Sequence, residues 1–250
     1  MSIYRDPLTI TKYLTKWLKD HFEAAGSSGA VLGISGGIDS AVLTGLLVKA
    51  LGKENVIGVI MPCHSQPIDE EYALDLAKVF GIRTIKVDLT KTYDNMVSLI
   101  NAEGLTLGTL PSANIKPRLR MITLYAIAQQ NGYLVCGGAN KDEFMYGYFT
   151  KHGDSGVDLL PMSDLLKGEV SLLALHLGVP PDIISRPPTA GLWSGQTDEA
   201  EMGLTYEELD NYLAIGKAED RVKQKIEKAI ARSEHKRKFA PMALIPKNID

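Results

Sequence analysis

Cysteine is scarce in this chain: Cys63 and Cys136 are the two thiols among 250 residues. Two are too few for a disulfide framework or a four-cysteine zinc site, and no His/Cys grouping offers zinc-ligand spacing. Cys136 closes the apolar run Tyr133-Leu134-Val135 and reads as a buried thiol, whereas Cys63, just past a strand, reads as partly exposed. An excess of charge of one sign is missing too. Lys and Arg number 27 against 30 Asp and Glu, for a net charge of −3 and a pI near 6.0, which argues against a nucleic-acid binder. No run approaches the ~18 apolar residues of a membrane helix. The first residues, MSIYRDPLTITKYL, lack a signal-peptide pattern, and neither an internal repeat nor a low-complexity segment is visible. These absences predict a cytoplasmic protein with no nucleic acid and no membrane as partner.

What is present is enough for one domain over residues 1–250, with 45% hydrophobic and 23% charged residues. Asp6-Pro7 reads as an N-cap followed by Pro at the first helical position, and apolar residues at helical spacing carry a helix to about residue 25. Strands then alternate with helices: strands at 31–34, 56–61, 84–87 and 133–136, helices at 40–51, 67–80, 89–100 and 114–130. Such alternation implies right-handed crossovers and a parallel sheet, which binds ligands beyond the carboxyl ends of its strands. After residue 150 the texture changes. A helix at 164–177, a Pro-rich stretch, a loop or lid at 189–204 that includes Trp193, and helices at 206–215 and 219–233 are expected, followed by a short basic tail. His21 and His176, in helical patterns, read as structural.

The most informative segment is GISGGIDS, residues 33 to 40, between two apolar runs. It places flexible backbone, two hydroxyls and a carboxylate at the end of a strand and the start of a helix. A helix N-terminus offers free N–H groups and partial positive charge to an anion such as phosphate. Gly33, Gly36 and Gly37 allow close approach. Ser35 and Ser40 can donate to phosphate oxygens. Asp39 cannot usefully face a bare phosphate and suits a metal ion that does. The string is neither Walker A, since no Lys ends it, nor the Rossmann GxGxxG.

It resembles the SGGxDS loop of the N-type ATP pyrophosphatases, which cleave ATP between the α and β phosphates. Further segments narrow the resemblance: NIKPRLRM at 114–121, GYFTKHGDSGVDLLP at 147–161, PPTAGLW at 187–193, QTDEAEMGLTYEELD at 196–210 and HKR at 235–237. Cations at the start of a helix oppose its dipole, so Lys116, Arg118 and Arg120 suggest anion binding. Together, and over effectively the whole chain, these segments resemble the short, ammonia-dependent NAD synthetases.

That resemblance implies an α/β, doubly wound parallel sheet of five strands flanked by helices, with extra C-terminal helices. It implies a ligase that amidates deamido-NAD with ammonia, using ATP as co-substrate and Mg²⁺, through a deamido-NAD adenylate. It matches Gly33, Ile34, Ser35, Gly36, Gly37, Ile38, Asp39, Ser40, Gly138, Lys167 and Thr189 to ATP. Asp39 and Glu143 match the Mg²⁺ carboxylates. Arg118, Lys151, Asp158, His235 and Lys236 match deamido-NAD contacts. Asp154, Lys167 and Ser35 take the catalytic positions, Asp154 as an aspartate that handles the proton of ammonium or positions the nucleophile. The relatives commonly carry a threonine where this chain has Gly138, so a hydroxyl on the nucleotide is missing. Relatives are homodimers with the dinucleotide at the interface, and the first helix and the 114–130 helix are the candidate interface elements. No glutaminase domain is expected within 250 residues. The alternatives are a GMP synthetase subunit, opposed by NIKPRLRM and GYFTKHGD; a tRNA-thiolating enzyme, opposed by the lack of catalytic cysteines and of a basic surface; and a non-catalytic nucleotide sensor, opposed by Asp39, Glu143 and Lys167 together.

Overall fold

Asp6 starts the first helix as the sequence predicts. Its Oδ2 accepts from the Thr9 N–H at 2.8 Å, and Pro7 occupies the first helical position. The computed structural model describes residues 2–189, 191, 195 and 197–245. In chain order the elements are α1 (Pro7–Ala24), β1 (Ala30–Gly33), α2 (Ile38–Leu51), β2 (Val56–Ile60), α3 (Pro67–Phe80), β3 (Arg83–Lys86), α4 (Thr90–Ala102), α5 (Thr109–Ala113), α6 (Ile115–Asn131), β4 (Leu134–Val135), α7 (Lys141–Tyr146), α8 (Lys167–Leu177), α9 (Pro181–Ile184), α10 (Asp198–Met202), α11 (Tyr206–Ile215) and α12 (Asp220–Ser233).

The strands are parallel in the order β3-β2-β1-β4. From β1 the chain builds outward through β2 to β3, then returns to place β4 on the other side of β1. That reversal opens a crevice beyond the carboxyl ends of β1 and β4, where open α/β sheets bind ligands. Side-chain alternation splits the sheet between two cores. Ala30, Leu32, Val56 and Ile60 pack with α1, α2, α8 and α9, whereas Val31, Ile57, Val59 and Val135 pack with α6. The apolar stripe of α1, Ile10, Leu14, Leu18 and Phe22, is buried in the first core, so that stripe is not free to face a partner. A third, smaller core joins α10, α11 and α12 through Met202, Leu204, Leu209 and Ile226, with Tyr146 packed against it.

Several expectations are corrected here. The described residues form a four-stranded sheet, not five. Where a fifth strand would lie, Leu159 makes a single parallel bridge to Cys136. Pro161, two residues on, has no N–H with which to extend the ladder. Cys63 is fully buried, packed with Met61, Leu89 and Leu119 in the second core; burial pushes its thiol pKa up. The stretch read as a lid holds the five-residue α10, whose Asp198 and Met202 are buried. The short α5, α7 and α9 were not expected either, because four to six residues give too little periodicity to see. Trp193 lies outside the described residues.

Candidate active site

The turn between β1 and α2 is built from its own residues. Gly36 adopts φ +75°, and a Cβ there would stand 2.6 Å from the Asp69 carbonyl oxygen. A side chain would strain the backbone and push α3 away. Ser40 Oγ donates to Gly37 O at 2.9 Å and meets Ser35 Oγ at 3.2 Å. Ser40 is buried and braces the loop from inside, while Ser35 is exposed at the cleft. Both expected phosphate donors line the cleft, Ser35 exposed and Ser40 largely buried. The loop, the end of β4 and α6 bound a cleft of about 1140 Å³.

The charged centre of this cleft comes from three helix starts. Asp39 lies in the first turn of α2, Glu143 in that of α7, and Lys167 opens α8. Lys167 Nζ stands 2.6 Å from Asp39 Oδ2 and 3.5 Å from Glu143 Oε1, and 4.8 Å over the Tyr206 ring. Asn140 ties the start of α7 to the Asp39 carboxylate. Its Oδ1 accepts from Glu143 N at 3.0 Å, capping α7, and its Nδ2 donates to Asp39 Oδ1 at 2.9 Å. The side chains of Asp39 and Glu143 are 24% and 18% exposed, that of Lys167 only 7%. The carboxylates thus face the cleft with the ammonium behind them.

Electrostatics follow from this burial. Burial first, then the Asp39 charge, push the Glu143 carboxyl above its ordinary range. Burial works against the Lys167 ammonium, but Asp39 and Glu143 outweigh it and keep the amine charged. Burial, Glu143 and Asp198 push the Tyr206 phenol up, and its hydroxyl donates to Asp198 Oδ2 at 2.9 Å and to Glu143 Oε1 at 3.4 Å. A further acidic pair, Asp142 and Asp210, lies deeper, 0% and 2% exposed. Burial and the Asp210 charge push the Asp142 carboxyl up. Two carboxylates that converge on one cation fit a hard divalent ion. Among the described residues no group of three His, Cys, Asp or Glu forms a full ligand set, so phosphate oxygens and water would complete such a shell.

The opposite wall carries the residues matched to the dinucleotide. Arg118 Nε and Nη2 donate to Lys151 O at 3.3 Å, and Lys151 Nζ donates to His235 O at 2.8 Å. Asp154 Oδ2 accepts from Thr150 N at 2.8 Å. Lys236 Nζ donates to the carbonyls of Gly147 and Phe149 at 2.8 and 2.7 Å. Arg118, Lys151, Asp154, His235 and Lys236 all line the cleft, as do Thr189 and Gly138. A Cβ on Gly138 would meet nothing nearer than 3.6 Å, so a side chain fits there. Asp158 sits elsewhere, at the sheet edge outside the cleft lining. It accepts from Val135 N at 2.8 Å and from Tyr125 OH at 3.0 Å.

Around the site, several residues hold its elements in place without a role assigned from the sequence. Arg237 donates to Phe144 O, Met145 O and Ile230 O at 3.1, 2.9 and 2.6 Å, so the basic tail clasps the carboxyl ends of α7 and α12, where a cation is favoured. Gly147 makes that contact possible, since a Cβ would lie 2.1 Å from Ser233 Cβ. Asp198, Tyr206 and Asp210 lie in the 196–210 segment, which assigns them no role; what marks Tyr206, Asp210 and Asp142 is contact with Glu143 and Lys167, 25 to 63 positions away, and what marks Asp198 is its bond from Tyr206.

A family model described as NAD synthase matches residues 10–240. The NH(3)-dependent NAD(+) synthetase of Finegoldia magna is 54% identical over 227 residues, covering 91% of this chain and 92% of that protein. The protein of the same description from Syntrophomonas wolfei is 48% identical over 245 residues, covering 96% and 98%. Among solved structures, one titled NMN synthetase from Francisella tularensis superposes with a TM-score of 0.89 at 37% identity, covering 98% of this chain and all of the other.

Proposed function

The chain belongs to the NAD synthase family, and we infer from that membership that it is an ammonia-dependent NAD synthetase. It amidates deamido-NAD with ammonia and ATP, releasing NAD, AMP and pyrophosphate, as the last step of NAD formation. A carboxylate is a poor acyl donor. Its oxygen attacks the α-phosphorus of ATP, the bond to the bridging oxygen breaks, and pyrophosphate leaves. Ammonia then attacks the carbonyl carbon of the acyl-adenylate, AMP departs with the C–O bond electrons, and the nitrogen loses a proton. Little covalent work falls to the protein, so positioning and charge dominate.

The observation that carries this reading is the convergence of Asp39, Glu143 and Lys167 beside the Ser35 loop at the switch point of the sheet. Residues 33–40 bind the triphosphate, Ser35 by its exposed hydroxyl, with Gly138 and Thr189 alongside. Magnesium would be held by Asp39 and Glu143, where it would neutralise charge developing on the leaving pyrophosphate. Lys167 supplies positive charge to the same phosphates. Arg118, Lys151, His235 and Lys236 bind deamido-NAD across the cleft, and Asp154 positions ammonium. Asp158 faces away from the cleft in one chain, which suits a homodimer with the dinucleotide at its interface. Exposed Leu110 and Ile122, 56% and 57% accessible on α5 and α6, offer that interface an apolar face. No helix among the described residues is long and apolar enough to cross a membrane; we place the single-domain protein in the cytoplasm.

A second reading concerns the acid. The Francisella structure bears the name of a synthetase of NMN, so nicotinic acid mononucleotide is the rival acceptor. AMP and pyrophosphate release from ATP and Mg²⁺, measured with deamido-NAD or the mononucleotide and with ammonium as donor, decides between them. Turnover with deamido-NAD and ammonium is expected. Turnover only with the mononucleotide moves the acceptor, and AMP with xanthosine monophosphate alone overturns the reading. A need for glutamine and an added protein would reveal a separate amidotransferase.

A further inference from the structure

Lys167 stands at the first residue of α8, an unfavourable place for a cation beside the positive end of the helix dipole. Its side chain is nevertheless held charged on the cleft carboxylates, so something must fix the helix start. The free N–H groups there are taken by buried side chains. Lys167 N donates to Asp210 Oδ1 at 2.9 Å and to Asp142 Oδ2 at 2.6 Å. Gly168 N donates to Asp210 Oδ2 at 3.0 Å. That same oxygen accepts from Tyr4 OH at 2.9 Å. Leu166 N is taken by Glu169, which Arg5 grips through Nε at 2.7 Å and Nη2 at 2.6 Å. The Tyr4 ring packs against Gly168, where a Cβ would come within 2.3 Å of it.

We propose that Asp210 is a positioning residue for Lys167: held by Tyr4, it clamps the first two N–H groups of α8 and so sets the direction in which the lysine side chain leaves the helix. Asp210 touches no reacting atom. It is 2% exposed and reaches the cleft only through the helix whose start it caps. Both oxygens bind consecutive N–H groups, so a rotation of α8 about its axis breaks one bond or the other. One oxygen alone would cap the helix; the second fixes its phase. The inference rests on Lys167 acting at the phosphates.

The test is a double-mutant cycle on single-turnover AMP formation. Asp210→Ala is expected to slow the step by on the order of 10²-fold, the scale of an ångström-level misplacement. Asp210→Asn, which keeps one acceptor oxygen, and Tyr4→Phe are expected to lose less, in that order. In a Lys167→Ala background the Asp210 effect should shrink below about twofold, because there is no ammonium left to aim. A residue that only supports the fold would cost the same factor in both backgrounds, and that result overturns the inference. If Asp210→Ala does not fold by circular dichroism, Tyr4→Phe and Asp210→Asn run the same cycle with the same two outcomes. Full turnover by the Lys167→Ala single variant would remove the reading of the site itself, and the inference with it; that failure is visible before any Asp210 variant is made.

Discussion

The two ends of the cleft are made in opposite ways. The phosphate-loop end is eight consecutive residues whose hydroxyls and amides bond one another. The charged end draws Asp39 and Lys167 from positions 128 apart, and Glu143 and Tyr206 from positions 63 apart. One end is a local shape and the other an assembly. The local end should be sensitive to backbone changes and the assembled end to charge changes.

The strongest attack on that contrast is Asp39→Asn, which keeps shape and removes charge. Turnover should fall on the order of 10²- to 10³-fold, as when one preorganised electrostatic group is lost, while thermal melting shifts little. A collapse in melting temperature would make Asp39 a structural residue. Next comes the support of the assembled end. Arg5→Ala strands the Glu169 carboxylate, 1% exposed; because Arg5 itself is half exposed, the loss at pH 7 should be that of one charge-assisted hydrogen-bonded pair, about 1–2 kcal/mol. Burial tends to raise the Glu169 carboxyl, but the bonds from Arg5 and Leu166 N–H hold it below its ordinary range. A lowered pKa stabilises above the unfolded value, near 4.3, and that contribution fades as pH drops through the folded value. Melting curves from about pH 6 to about pH 3 should therefore show an acid loss that Arg5→Ala flattens.

At the local end Gly36→Ala should cost about 1–2 kcal/mol from its left-handed backbone, plus whatever the contact with Asp69 O adds. A drop of roughly 2–4 °C per kcal/mol is expected, and an unchanged melt would show that the loop relaxes freely. The smallest effect is expected from Gly138→Thr. The space is open and φ is not left-handed, so stability should hold within about 0.5 kcal/mol. The ATP KM should fall modestly if the new hydroxyl reaches the nucleotide.

The same contrast decides what could be read from the chain. GISGGIDS declared itself because everything it needs is adjacent. So did α3 and α11, whose predicted bounds, 67–80 and 206–215, coincide with the observed ones. The alternating pattern marks the four strands that form; the fifth was implied by the resemblance alone, and at Leu159 the chain makes only one bridge. Cys63 was misread because what buries it, Leu89 and Leu119, comes from α6 and the segment after β3. Asp210 is one acid in a helical pattern rich in acids. Nothing local separates it from Glu207 or Glu208; what separates it is burial against Tyr4, 206 positions away. Lys236 lines the cleft as its motif suggests, but the bonds that hold its ammonium there, to the carbonyls of Gly147 and Phe149, join residues 87 and more positions apart and leave no local trace.

The Tyr4–Asp210 hydrogen bond also sets a schedule for biosynthesis. The hydrogen bonds of the Ser35 loop join residues within 33–40, all of which leave the ribosome early. The nascent chain cannot aim Lys167 until α11 has emerged, some 40 residues after the lysine itself. At about 5–20 residues per second, seconds separate the emergence of Lys167 from that of the residue that caps its helix.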